Sequence, residues 1–142
     1  MELTGERQMV SKVMIVDDSA MMRLVIKGIV EKMPGFEIVA NASNGKLALV
    51  ELQRHSDVNL ILLDIEMPEM NGLEFLRHAK LKTRAKICIL SSVAVSGSPY
   101  AAKARELGAD AIVTKPSGAV SYDLAEKRSS ELAQVMRRLA AA

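Results

Sequence analysis

Two apolar runs in this chain end in acids, and those acids are the residues best placed for chemistry. Leu60-Ile61-Leu62-Leu63 leads into Asp64 and reaches Pro68 four residues later. Val13-Met14-Ile15-Val16 leads into Asp17-Asp18. Four large aliphatics in a row read as a strand buried on both faces, the kind found in a parallel sheet. Proline cannot continue the ladder, so Asp64 belongs at the carboxyl end of such a strand. Open α/β sheets bind their ligands at that edge. Three carboxylates gathered there repel one another unless a cation joins them, which points to a divalent metal. Two further runs end in polar residues. Lys86-Ile87-Cys88-Ile89-Leu90 is closed by Ser91-Ser92, and Ala111-Ile112-Val113 is stopped by Lys115-Pro116. Acids for a metal, a hydroxyl and an ammonium together can hold a phosphoryl group, with a carboxylate as nucleophile.

Alternating strands and helices must position these residues. Strands are expected over residues 12–17, 36–42, 58–64, 86–90 and 111–113. After the first, Ser19 is a candidate cap, and Met22, Val25, Ile26, Ile29 and Met33 share one helical face. Pro34-Gly35 stops that helix. Asn44-Gly45 turns the chain into a helix with Ala48, Leu49 and Leu52 inward, ending near His55. A third helix spans residues 72–82 and buries Leu73 and Leu76. Ser98-Pro99 opens a fourth, because proline suits a first helical turn, and it ends near Leu107-Gly108. Leu132, Val135, Met136 and Leu139 give the last helix its apolar face. Five strands alternating with five helices predict an α/β, doubly wound parallel sheet.

The totals fit one domain. There are 142 residues, of which 49% are hydrophobic and 25% charged, with a formal net charge of +2. That charge is too small to argue for nucleic acid. The longest apolar run falls far short of a membrane span. The single cysteine, Cys88, suits a reducing cytoplasm. Aromatics are only 3% of residues, which leaves base-stacking functions poorly supplied. Residues 1–11 read as a short extension and 12–142 as the domain.

Taken singly, each candidate has an ordinary reading. An aspartate there can be a helix cap, Ser91 a turn residue and Lys115 a solvated charge. Their coincidence at successive strand ends is not ordinary, and here the sequence resembles a known family. Val16-Asp17-Asp18-Ser19 with Met22-Arg23, Leu63-Asp64-Ile65-Glu66-Met67-Pro68-Glu69-Met70-Asn71-Gly72, Ser91-Ser92 and Thr114-Lys115-Pro116 are similar to the motifs of two-component response regulator receiver domains, the CheY-like fold. The resemblance covers roughly residues 12–139. Within the family, the Ser91-Ser92 pair, Glu66 and Thr114-Lys115-Pro116-Ser117-Gly118 are most similar to the receiver halves of chemotaxis methylesterases of the CheB type.

The resemblance implies strand order 2-1-3-4-5, as in flavodoxins. It implies Asp64 as phosphoacceptor and Mg²⁺ as cofactor. Asp18 and Asp64 would hold the metal directly, Asp17 through water and Glu66 through its backbone carbonyl. Ser91 and Lys115 would hold the acquired phosphoryl group, and the Lys115–Pro116 bond would be cis. A CheA-like sensor histidine kinase or a small phosphodonor would supply the group, and a protein partner or tethered effector domain would read the result. No direct nucleic-acid or membrane partner is expected, and the cytoplasm is the expected location. Receivers usually carry an aromatic three residues before the lysine, but here that position is Ile112, so the signal is expected to travel through residues 91–98. No Gly-x-Ser-x-Gly elbow occurs, so the chain is expected not to be an enzyme beyond catalysing its own phosphorylation and dephosphorylation. Two other classes share parts of the pattern. A Mg²⁺-dependent phosphohydrolase would use Asp64 as nucleophile with Glu66 as a partial mimic of its general acid. A flavin binder would want hydroxyls where Asp17-Asp18 stand.

Overall fold

The computed structural model describes residues 10–67, 70–91, 98–116 and 122–141, and side chains in the last of these from residue 125 onward. Among the described residues ten elements alternate. They are β1 (Ser11–Val16), α1 (Ala20–Glu31), β2 (Phe36–Ala42), α2 (Gly45–Arg54), β3 (Leu60–Asp64), α3 (Gly72–Lys82), β4 (Lys86–Ser91), α4 (Pro99–Glu106), β5 (Ala111–Thr114) and α5 (Tyr122–Ala141). All strand pairs are parallel, in the order β2-β1-β3-β4-β5. The expected five strands, five helices and strand order are therefore found.

The sheet divides the core in two. Alternate residues of the central strands face opposite sides, as the period of two requires. Met14, Val16, Ile61, Leu63, Ile87 and Ile89 join Phe75, Leu76 and Ala79 of α3 on one face. Val13, Ile15, Leu60, Leu62, Cys88 and Leu90 join Met22, Ile26 and Val30 of α1 and Leu132 and Met136 of α5 on the other. Every residue of β3 is buried, which is why it reads as an unbroken apolar run.

Local signals set the helix boundaries. Ser19, Asn44, Asn71 and Ser98 each accept a bond from a backbone N–H of the first turn, at 3.1, 2.9, 3.0 and 3.4 Å. At α3 the Glu74 carboxylate accepts in turn from the Asn71 N–H, completing a capping box. The inward face of α1 is Met22, Ile26 and Val30, with Val25 and Ile29 only half-buried. The apolar stripe is thus centred slightly to one side of the expected one. Val58 is buried but precedes β3, because its N–H bonds to the His55 carbonyl rather than to a neighbouring strand.

Among the described residues no peptide bond is cis, so the expected cis Lys115–Pro116 bond is corrected to trans. Trans is the isomer that X–Pro bonds favour by about 0.5–1 kcal/mol. Of the segment expected to carry the signal, residues 92–97 lie outside the described residues, as do Ser117 and Gly118.

Candidate functional site

Strand register brings the acids together. Val16 pairs with Leu63, so the next residues, Asp17 and Asp64, leave adjacent strands side by side. The Asp17 N–H still donates to the Ala42 carbonyl at 3.0 Å, which holds it in line with β2. On the other side Ser91 pairs with Thr114, and the Lys115 N–H donates to the Ser91 carbonyl at 2.8 Å. The four strand ends carrying Asp17, Asp64, Ser91 and Lys115 therefore lie on one edge.

Asp17 and Asp64 are both 0% exposed, whereas Asp18 is exposed. One carboxylate oxygen from each of the three lies within 4.8 Å of the others. The Lys115 ammonium is 3.1 Å from Asp64 Oδ1 and 3.7 Å from Asp17 Oδ2. Asp64 Oδ1 also accepts from the Glu66 N–H at 3.1 Å, and Asp17 Oδ1 accepts from the Ser19 N–H at 2.8 Å. Among the described residues, Asp17 Oδ2 and Asp64 Oδ2 are then left buried without a hydrogen bond, together with the Ser91 hydroxyl.

Burying the charges shifts their titration. Burial is the main cause that pushes the Asp64 carboxyl up to about 6, and the Asp17 charge adds to it. The Glu66 N–H and the Lys115 ammonium oppose that rise. Asp17 is raised too, chiefly by burial, against the Ser19 N–H and Lys115. For Lys115 burial is the largest influence and favours the neutral amine. The combined charges of Asp64, Asp17 and Asp18 outweigh it and raise the lysine.

The donor set fits a small hard cation. Asp17 Oδ2 is buried without a hydrogen-bond partner among the described residues, and three carboxylates converge from two strand ends. Magnesium-type ions take oxygen ligands and leave several water positions, which suits the exposed side offered by Asp18. Glu66 meets the cluster through its backbone N–H, which donates to Asp64 Oδ1, and not through its carboxylate. Its side chain is exposed, and no hydrogen bond or ion pair joins it to the cluster among the described residues. A general acid at that position would have to face the cleft, so the geometry weighs against the phosphohydrolase alternative. Ile112 pairs with Ile89 and is half-buried against the α3 side of the core.

Periodicity alone gave no role to three residues that position the site. The Arg23 guanidinium donates to the Asp17 backbone carbonyl at 2.6 Å and so ties α1 to the loop bearing both acids. Gly72 opens α3 directly against the end of β3. A Cβ there would lie 2.6 Å from the Asp64 carbonyl oxygen and 2.6 Å from Ile65 Cα. Gly45 meets Met70 in the same way, with a Cβ 2.7 Å from the Met70 carbonyl, and its N–H donates to that carbonyl at 3.2 Å. Both glycines open helices whose starts sequence reading identifies. The close approach of backbone that requires them is a tertiary fact. Gly72→Ala is expected to cost about 1–3 kcal/mol, because the obstructing atoms are backbone that must shift. Urea denaturation should show the loss, and weaker divalent-ion binding should accompany it because Asp64 moves with the strand end. An unchanged urea midpoint would mean that α3 withdraws freely.

Comparisons with known proteins agree with this geometry. A family model described as the response regulator receiver domain matches residues 13–122. The chain is 47% identical over 114 residues to a protein-glutamate methylesterase/protein-glutamine glutaminase of Treponema denticola, covering 80% of this chain and 30% of that protein. It is 33% identical over 135 residues to the protein of the same name from Pyrococcus abyssi, covering 95% and 36%. The chain thus spans about a third of the length of these curated relatives. Among solved structures, it is 62% identical to a chain in the crystal structure of the P1 domain of CheA3 in complex with CheY6 from R. sphaeroides. The TM-score is 0.80, covering 94% of this chain and 99% of that one. It is 33% identical to the response regulator domain of Thermotoga maritima CheB, with a TM-score of 0.80 and coverage of 94% and 98%.

These findings correct one expectation. The chain was expected not to be an enzyme, yet its curated relatives carry the name of an enzyme. The absence of a nucleophile elbow speaks only for these 142 residues, and they correspond to a minor part of the relatives. No helix among the described residues is long and apolar enough to cross a membrane.

Proposed function

The chain is a two-component receiver domain of the chemotaxis group, a member of the response regulator receiver family, and from that premise we propose that Asp64 is its phosphoacceptor. The observation that carries this reading is the state of the Asp64 carboxylate. Oδ1 is held by the Lys115 ammonium and the Glu66 N–H, while Oδ2 is buried and without a hydrogen bond. One oxygen is fixed and the other is left for an incoming phosphorus atom. Oδ2 attacks phosphorus as the bond to the donor's nitrogen or oxygen breaks, and the leaving group departs with that electron pair. The product is a carboxylic–phosphoric anhydride on Asp64.

The other strand-end residues then have roles. The Ser91 hydroxyl, buried and unpaired, donates to a phosphoryl oxygen. The Lys115 ammonium offsets the charge that the phosphoryl group brings. Arg23 and Gly72 act as positioning residues, one on the loop carrying Asp17 and Asp18 and the other on the strand end carrying Asp64. Asp17, Asp18, Asp64 and the Glu66 carbonyl are the residues that would hold Mg²⁺, which when bound neutralises charge on the transferring phosphoryl oxygens.

The domain is taken to run over residues 12–142, with 1–11 as an extension. The donor is a kinase phosphohistidine, in keeping with the crystallised complex between the CheA3 P1 domain and CheY6, or a small acyl phosphate in the cytoplasm. The output is a changed surface near β4, β5 and Ile112, read by a protein partner or tethered domain. Acetyl phosphate with Mg²⁺ should add one phosphoryl group to the intact mass, and hydroxylamine should remove it. Asp18→Asn should slow the gain about tenfold or more while weakening Mg²⁺ binding. A protein that gains no mass, or whose adduct resists hydroxylamine, would refute the assignment.

A further inference from the structure

At the opposite edge of the sheet, where the strands begin, the surface holds a recess of about 900 Å³. It is bordered by the starts of β1 and β4, the end of α3 and the last turn of α5. Four cations, Lys80, Lys82, Arg84 and Lys86, line it within seven consecutive residues. Among the described residues its one lining carboxylate, Asp57, already carries an ion pair with Lys12. Lys80 is also committed, 3.1 Å from Asp110. Lys82, Arg84 and Lys86 have no ion-pair partner among the described residues. The α3 dipole accounts for cations in its last turn, such as Lys80 and Lys82. It does not account for Arg84 and Lys86, which lie beyond the helix. Nor does it account for Leu81, a helix residue left 84% exposed beside them, or for the exposed Val10 that also lines the recess.

We propose that this basic recess is a docking site for an acidic polypeptide segment carrying apolar side chains. Charge complementarity selects the class of partner. The free cations come from the end of α3, the connection after it and the start of β4, so they match a row of carboxylates better than a single small anion. The volume lies in the range of ligand-binding recesses, about 300–1,000 Å³. Leu81 and Val10 supply the apolar contacts that set an amphipathic segment apart from any polyanion. A lipid surface fits less well, because the cations surround a concavity. One leucine with a few cations also falls short of the two signals that stable membrane anchoring takes. The recess stands apart from the acidic edge, so a partner held here leaves the phosphoryl chemistry exposed to its donor.

The probe is a fluorescein-labelled peptide of about eight alternating Glu and Leu residues, with a Gln-for-Glu version as control. Anisotropy with the full chain should show saturable binding to the acidic peptide, weakened several-fold by raising salt from about 0.05 to 0.2 M as screening shortens. The double substitution Arg84→Gln/Lys86→Gln removes the charge of one exposed and one half-buried side chain, neither of them in the core, and should weaken binding about tenfold. Leu81→Ser should weaken it about threefold. Phosphorylation by acetyl phosphate should be unchanged in both variants, and amide shifts on binding should centre on residues 10–11 and 80–86. The proposal is overturned by equal binding of the Gln peptide, by undiminished binding to both variants, or by no saturable binding at all. It is also overturned if vesicles of phosphatidylserine and phosphatidylcholine bind the protein through these cations while the peptide does not.

Discussion

Asp64→Asn should abolish phosphoryl acceptance and, in metal-free buffer near neutral pH, make the fold more stable than wild type. The loss of acceptance follows from the chemistry, since an amide is too poor a nucleophile to form the anhydride. The gain in stability follows from burial. An ionised Asp64 sits fully buried beside the charge of Asp17, and its carboxyl is pushed up to about 6 from a reference of 3.8. A shift of that size corresponds to a penalty on the order of 3 kcal/mol on the ionised form. Asparagine removes the charge and keeps an oxygen that accepts from Lys115 and Glu66. A net gain of about 1–2 kcal/mol is expected, or a rise in melting temperature of several degrees.

The sign of the pH dependence is fixed by the same shift. A raised carboxyl binds its proton more tightly in the folded state. Wild type therefore has the full benefit of protonated Asp64 below about 3.8, and loses it as pH rises through about 6. The advantage of Asp64→Asn should be small below about pH 4, roughly half developed at about pH 5 and complete by about pH 7.5. Saturating Mg²⁺ should close or reverse it, because a ligand that binds only the folded state stabilises by about 2.7 kcal/mol at a hundred times its Kd. Melting curves in EDTA across this pH range are the check. Parallel curves for the two proteins would mean that the carboxylate is not strained by burial.

Sequence made some layers of this site legible and hid others, for physical reasons. The acids, serine and lysine could be read because buried parallel strands are continuous apolar runs, so the polar residue that breaks each run marks its carboxyl end. The start of α3 was legible because an asparagine such as Asn71 is a favoured cap for a first helical turn. The stripe on α1 is less legible. Its burial follows Met22, Ile26 and Val30, four residues apart, and which of two adjacent rows turns inward depends on how the helix sits on the sheet. Gly72 and Arg23 were visible as letters but not as parts of the site. Their roles lie in a Cβ-sized gap against β3 and a bond to a backbone carbonyl, and neither leaves a period in the sequence. The isomer of Lys115–Pro116 was inferred from family resemblance rather than from any local signal, and there the inference failed.

Lys115→Met should have the opposite effect on stability from Asp64→Asn, and the two should not add. The ammonium is the counter-ion of both buried carboxylates, at 3.1 and 3.7 Å. Removing one partner of a buried ion pair costs about 3–5 kcal/mol. The Lys115 side chain keeps 22% of its exposure, so water screens part of that interaction and a loss of about 2 kcal/mol is expected. The lysine is itself raised above 10.5, so it stays charged throughout the assay range and loses its proton only at higher pH. The pH dependence of the variant must therefore come from the acids. Without the cation their carboxyls rise further, and the loss should be slight where Asp64 is protonated and full near pH 8. Mg²⁺ should rescue the variant more than wild type, since it replaces the missing positive charge. Transfer from acetyl phosphate should nonetheless fall about a hundredfold, the order seen when one donor to a developing charge is removed. In the double variant with Asp64→Asn, much of the stability loss should disappear, because the charge that Lys115 offsets is halved. Strictly additive stabilities across this cycle would show that the lysine and the aspartate do not interact, and the assignment of Lys115 to the site would then fail.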